Sequence, residues 1–202
     1  MPALVSILLI LAAFLGSAQD KSLTDRFREA ASYRVIQADF LQIRHLAELG
    51  MNVEIRGEMV CEKNGRLRWQ VKSPIKSITV IQRNELRHFD GETGKLAVID
   101  SVKFPWLGVL RDCMTDWITA DPDRLKQRFE LDLKDGRTLH LRPKVDQLRQ
   151  IFTVVEIRLS ADFNAIEQIL IEESSGDRLT IRFGQVRKNP VLPEQIWQLP
   201  PP

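Results

Sequence analysis

From Met51 to Met59 the chain alternates: Met51, Val53, Ile55, Gly57 and Met59 fall on one side, and Asn52, Glu54, Arg56 and Glu58 on the other. A two-residue period sends successive side chains to opposite faces of a strand, so this segment has one apolar and one wet face. The pattern returns at 129–133, 155–159 and 178–183. A chain of 202 residues with this many one-faced strands and little helix predicts a single, mainly β (α+β) domain. Its large antiparallel sheet must curl around something apolar, and function turns on what fills the concave side.

Composition narrows the partners. A formal charge of +2 gives no general pull toward nucleic acid or an anionic membrane surface. No run interleaves basic and aromatic residues for base stacking, so no nucleic-acid partner is expected. The first eighteen residues carry no charged side chain, and the apolar run from Leu4 to Leu15 is too short to span a bilayer comfortably. Gly16-Ser17-Ala18 and then polar Gln19-Asp20-Lys21 follow it. This reads as a cleaved secretory signal peptide over 1–18, leaving one domain over 19–202, with an uncleaved anchor as the alternative. No cysteine follows the run, so lipid attachment to the chain itself is not expected. The two cysteines are Cys61 and Cys113, and export would permit a disulfide without requiring one.

Residues 22–37 predict a helix: Ser22 can cap it, Asp25 lies near the positive end of its dipole, and Leu23, Phe27, Ala30 and Ala31 share a face. Strands follow at 38–46, 51–61, 67–71, 77–82, 86–89 and 95–99, with Gly65 marking a hairpin. From Pro105 to Ile118 the period changes. Trp106, Leu110, Cys113 or Met114, and Trp117 recur as on an amphipathic helix, which Asp121-Pro122-Asp123 should stop. Strands resume at 129–133, 138–142, 151–159, 165–171 and 179–183, and the proline-rich tail from Asn189 should run extended. The expected architecture is a long antiparallel meander interrupted by one helix near its middle, its sheet curled with the helices laid on the inner face. Inside it lies either a packed core or an apolar cavity.

Patterns that carry chemistry are missing. There is no Gly-x-Ser-x-Gly elbow, His-Glu-x-x-His, Cys-x-x-Cys or glycine-rich phosphate loop. His45, His88 and His140 are dispersed over predicted strands and read as ordinary sheet residues. A triad of His88, Asp90 and Ser101 lacks any oxyanion signature. No catalytic residue, metal or cofactor is therefore expected. Trp69, Trp106, Trp117, Met51, Met59 and Met114 fall on predicted inward faces. They serve either an ordinary core or an adaptable lining for flexible acyl chains, since methionine repacks readily.

In order, these pieces resemble the LolA family, soluble periplasmic carriers that take lipoproteins to the outer membrane in Gram-negative bacteria. The resemblance rests on Phe40-x-Gln42, Gly57 with Trp69 twelve residues on, Pro74, Asp90-Gly91, the segment from Pro105 to Trp117, Leu141-Arg-Pro-Lys144, Gly176-Asp177, Asn189 and Leu192-Pro193. It implies a curled antiparallel sheet, an incomplete β-barrel closed by an N-terminal helix and a central lid helix, in which cavity and lid, built from Phe40, Met51, Val53, Ile55, Met59, Leu67, Trp69, Trp106, Leu110, Met114 and Trp117, hold the acyl chains of a lipoprotein. It also implies a monomer without cofactor. The donor would be an inner-membrane ATP-driven or other export complex, and the recipient an outer-membrane acceptor. Carriage of another hydrophobic cargo, such as a glycolipid or pigment precursor, and a lipid-sensing periplasmic interaction protein are the alternatives.

Two positions depart from the family pattern. Six residues before the tryptophan, where family members commonly place an arginine that holds the lid, stands Lys63, and a common cavity phenylalanine is Leu67. Lys63 is thus the expected lid lock, without the planar fork of a guanidinium. Cys61 shares strand parity with Met59 and Lys63, and Cys113 lies in the presumed lid helix. Cys61 and Cys113 are either two separate buried thiols or a disulfide that fastens the lid.

Overall fold

The computed structural model describes residues 22–82, 85–100 and 105–201, with side chains described from residue 112 onward in the third stretch. The expected signal peptide and Ser101 lie outside the described residues. The elements are helix α1 (Leu23–Ala30), strands β1 (Val35–Leu46), β2 (Met51–Glu62), β3 (Leu67–Ser73), β4 (Ser77–Gln82), β5 (Glu85–Asp90) and β6 (Leu96–Asp100), helices α2 (Pro105–Thr119) and α3 (Pro122–Arg128), strands β7 (Phe129–Asp135) and β8 (Thr138–Pro143), helix α4 (Asp146–Arg149), and strands β9 (Phe152–Leu159), β10 (Ile166–Glu173) and β11 (Arg178–Lys188). A short 3-10 turn, Glu194–Trp197, lies in the tail.

All eleven strands pair antiparallel in one sheet, in the order β6-β5-β4-β3-β2-β1-β11-β10-β9-β8-β7. The edges β6 and β7 do not pair with each other, so the barrel stays open. This is the large antiparallel sheet that the alternation predicts, and the open half-barrel that the resemblance implies. Register puts one apolar face inside: Phe40 sits opposite Gly57 and Phe183, Met59 opposite Trp69, and Ile169 opposite Ile157 and Ile181. These residues merge with Phe27, Ile118 and Leu125 from the helices into one core cluster.

The helices differ from expectation in two ways. Ser22 caps α1, accepting from the Asp25 amide at 3.2 Å, but the helix ends at Ala30, well short of residue 37. Tyr33 turns inward, its hydroxyl donating to the Ile118 carbonyl at 2.9 Å, and β-branched Val35 and Ile36 enter β1 opposite Glu62 and Cys61. Asp121-Pro122-Asp123, expected only to stop a helix, also starts one. The Asp121 side chain accepts from the Asp123 amide at 3.1 Å and Pro122 occupies the first turn of α3, where its missing N–H costs nothing.

The tail straps the convex face. Asn189, held at φ 50°, accepts from the Arg34 and Val35 amides at 2.7 and 3.2 Å. Trp197 then packs on Val35, Val60 and Val80, with the Arg66 guanidinium 4.5 Å from its ring centroid. Arg68 and Arg87 donate to the Ile196 and Trp197 carbonyls at 2.8 and 3.1 Å.

Candidate functional site

The concave face is not completely filled. A cavity of about 250 Å³ lies between the sheet and α2, walled by Trp69, Met114, Trp117, Ile118, Phe152 and Ile169, with Ile171, Leu179, Ile181 and Phe183 completing the apolar lining. Gln42 and Glu173 supply its polar edge, and Ile151, 50% exposed, places that edge at solvent. Arg44 draws Glu173 and Asp177 together at 2.7 and 3.0 Å. The Ala47 amide, at 3.0 Å, and Arg44 hold the Asp177 carboxyl below the usual range. An apolar chamber with a charged rim suits a long-chain amphiphile, tail inside and head outside.

Each wall has a local cause. Phe40 stacks on Trp69 with ring centroids 3.9 Å apart, and it can do so because Gly57 beneath it has no side chain. A Cβ there would stand 2.0 Å from the Gln70 carbonyl oxygen and 2.6 Å from Phe40 Cζ. Across the chamber Trp117 meets Phe152 edge-on at 5.2 Å and Phe129 at 6.3 Å, packing that is favourable beyond area burial.

Three of the sequence-selected residues, Trp69, Met114 and Trp117, are brought together on this wall, with Phe40 behind Trp69. Met59 and Leu67 are instead packed solid in the core. Val53 and Ile55 keep the inward parity but stay half-buried away from the chamber, and Met51 is 48% exposed, because exposure rises toward the start of β2. Trp106 and Leu110 fall in the first turns of α2, where side chains lie outside the described residues. The sequence reading missed the wall from β9, β10 and β11. Its signal was present in the alternation of Leu179, Ile181 and Phe183.

Cys61 and Cys113 are free thiols, both fully buried, in place of the disulfide. Cys61 faces inward on β2, and its Sγ lies 3.7 Å from the Glu62 carbonyl, while Cys113, on α2, packs into the core. Burial pushes both thiols up to about 12. At pH 8 the thiolate fraction is then on the order of 10⁻⁴, and only the thiolate attacks. The folded protein should therefore leave a chromogenic disulfide reagent uncoloured over minutes at pH 8 and release two equivalents on denaturation. Rapid colour from the native protein would contradict this burial.

The expected lid lock sits where the cover meets the sheet. Lys63 Nζ donates to the Ala31 carbonyl at 3.3 Å and lies 3.8 Å from Asp121 Oδ2, so it touches both the end of α1 and the start of α3. His88 is engaged by the Thr79 hydroxyl at 2.9 Å and His45 by Asn52 at 3.0 Å. Among the described residues no cluster of three His, Cys, Asp or Glu side chains could hold a metal.

Residues 31–200 match the family model described as outer membrane lipoprotein carrier protein LolA. The chain belongs to the LolA family. An outer-membrane lipoprotein carrier protein of Coxiella burnetii is 21% identical over 201 residues, covering 98% of this chain and 92% of that protein. Its counterpart in Legionella pneumophila is 22% identical over 151 residues, 72% of this chain and 69% of the relative. A conserved protein of Thermus thermophilus shares the fold, with a TM-score of 0.52, 12% identity and coverage of 88% and 92%. For this LolA-family chain, membership supports a lipid- or lipoprotein-carrying role for the half-barrel.

Proposed function

We propose that the protein is exported through a cleaved signal over 1–18 and acts as a periplasmic carrier. It takes the acyl chains of a lipoprotein into the chamber beneath α2 and hands them to an outer-membrane acceptor. The observation that carries this reading is the apolar chamber itself, walled by a helix to whose Ile118 carbonyl the Tyr33 hydroxyl donates. Burial of one ~16-carbon chain is worth roughly 12 kcal/mol gross at about 0.8 kcal/mol per methylene. Release therefore needs a cover that moves at modest cost, and displaced core contacts and lost chain freedom offset much of the gain.

The volume points to a closed form. At 250 Å³ the chamber is below the ~300–1,000 Å³ of typical ligand pockets, so several acyl chains require α2 to lift. The same volume supports a second reading, carriage of a lipid with fewer chains. Native mass spectrometry of protein purified from a periplasm, with diacyl and triacyl lipopeptides added separately, tests both. One acylated adduct per chain is expected, and its chain number separates the two readings. A mass that stays empty with every ligand overturns the carrier.

In this reading Lys63 is the strand-side hold on the lid. Its ion pair is partly exposed and worth about 0–1 kcal/mol, so Lys63→Leu should move the thermal midpoint by no more than roughly 4 °C. Exchange of a bound acyl probe should change severalfold. A larger fall in midpoint with unchanged exchange would make Lys63 a structural residue instead.

A further inference from the structure

We propose that Arg124, on α3, is a latch of the lid, joining a buried charge inside the helical cover to the backbone of the hairpin after β2. The proposal rests on the carrier reading only in naming the cover a lid. Arg124 Nη1 donates to the Lys63 carbonyl at 3.4 Å, across the boundary between α3 and the end of β2. Its Nη2 lies 2.9 Å from Asp116 Oδ1, close enough for an ion pair but off the line of a hydrogen bond. One planar guanidinium thus spans from α2, through α3, to the hairpin after β2.

The other end of this connection is anchored deeply. Asp116 is fully buried, and Arg128 takes its second carboxylate oxygen while reaching Asp112 at 3.2 Å. A buried carboxylate is costly unless it stays paired, so α2 and α3 are bound into one body by Asp116, Arg124 and Arg128. That body carries Met114, Trp117 and Ile118, the helical wall of the chamber. It meets the sheet at residue 63 in both directions: the Lys63 carbonyl receives Arg124, and the Lys63 ammonium approaches Asp121. Of these two, the Arg124 contact is the one tied to a buried ion pair, while Lys63–Asp121 spans 3.8 Å in partial solvent. Lifting the cover must therefore break the Arg124–Lys63 link, together with the Tyr33–Ile118 hydrogen bond, but need not break the Asp116 cluster, because Arg128 stays with Asp116.

The buried thiols report this motion without any cargo. Cys113 rides on α2 and Cys61 lies on β2, two residues from the latch carbonyl. Labelling of apo protein with a small alkylating agent, read at each cysteine by mass spectrometry, is compared with the global unfolding constant from denaturant titration. For Arg124→Ala, labelling at Cys113 is expected to rise at least tenfold beyond what the change in global stability explains. Arg124→Lys, which keeps a cation for Asp116 but loses the two-ended fork, should lie between it and the parent chain. Labelling that follows global unfolding one-for-one in Arg124→Ala makes Arg124 an ordinary stabilising contact and overturns the latch. If Arg124→Ala does not fold, a folded Arg124→Lys with parental labelling overturns it equally. The outcome is independent of the carrier reading: faster labelling with no uptake of a triacyl lipopeptide would leave the latch standing and remove the cargo.

Discussion

Replacing Gly57 by alanine is expected to cost about 3 kcal/mol or more, at or beyond the upper end of the usual overpacking penalty. For a domain of this size that lowers the thermal midpoint by roughly 6–12 °C. The backbone at Gly57 has no positive φ to relieve, so the cost comes from space. The added carbon would meet the Gln70 carbonyl at 2.0 Å, and a backbone oxygen in the sheet cannot swing aside as a flexible side chain can. The β2–β3 pairing already shifts register between Arg56 and Gly57, so strain would be forced into that irregularity. Phe40 must also move, since its ring lies within 3 Å of the new atom, and Trp69, stacked on Phe40, would lose its support. Urea and thermal unfolding followed by tryptophan fluorescence measure the effect, and a midpoint within about 2 °C of the parent would contradict the close approach. Phe40→Leu alongside it separates the two collisions: if Phe40 is the main obstacle, the double variant recovers much of the loss.

This spacing also explains what was legible in the sequence. Phe40, Gly57 and Trp69 belong to three neighbouring strands, and the period of two is enough to place them on one face. The same arithmetic fixes the inward parity of Val53, Ile55 and Met59. It cannot say how far along a strand the cover extends, which depends on where the helices lie. Hence parity alone assigns Met51, Met59 and Leu67 to the chamber, whereas the structure exposes Met51 and packs Met59 and Leu67 beneath. The cover itself was half legible: the 3.6-residue period of α2 showed, but α3 did not. Its seven residues include mostly polar side chains, and Asp-Pro-Asp marks a helix start as well as a stop. The functional groups of α3, Arg124 and Arg128, are charged residues whose role depends on Asp116 being buried. Burial of a carboxylate contradicts its usual exposure, so sequence pattern alone placed none of the three.

The β11 wall, which sequence reading left unassigned, gives the sharpest test of the chamber. Leu179 lines it from a half-buried position near the rim, opposite Arg44 and Ile171. In Leu179→Arg the aliphatic stem can keep the packing while the guanidinium reaches out toward Glu173 and Asp177, so the fold should survive. The chamber should not remain usable. A cation across its mouth excludes the outer part of an acyl chain, and losing burial of about four methylenes at ~0.8 kcal/mol each removes roughly 3 kcal/mol of binding. That is on the order of a 100-fold loss in affinity for an acylated probe, measured by fluorescence titration at fixed protein concentration. Leu179→Met is the matched control, since it keeps volume and apolarity and should bind within severalfold of the parent. A folded Leu179→Arg that binds as tightly as Leu179→Met would place the acyl chains elsewhere on the half-barrel. A loss confined to Leu179→Arg locates them between β11 and α2, where the chain's own side chains have left the room.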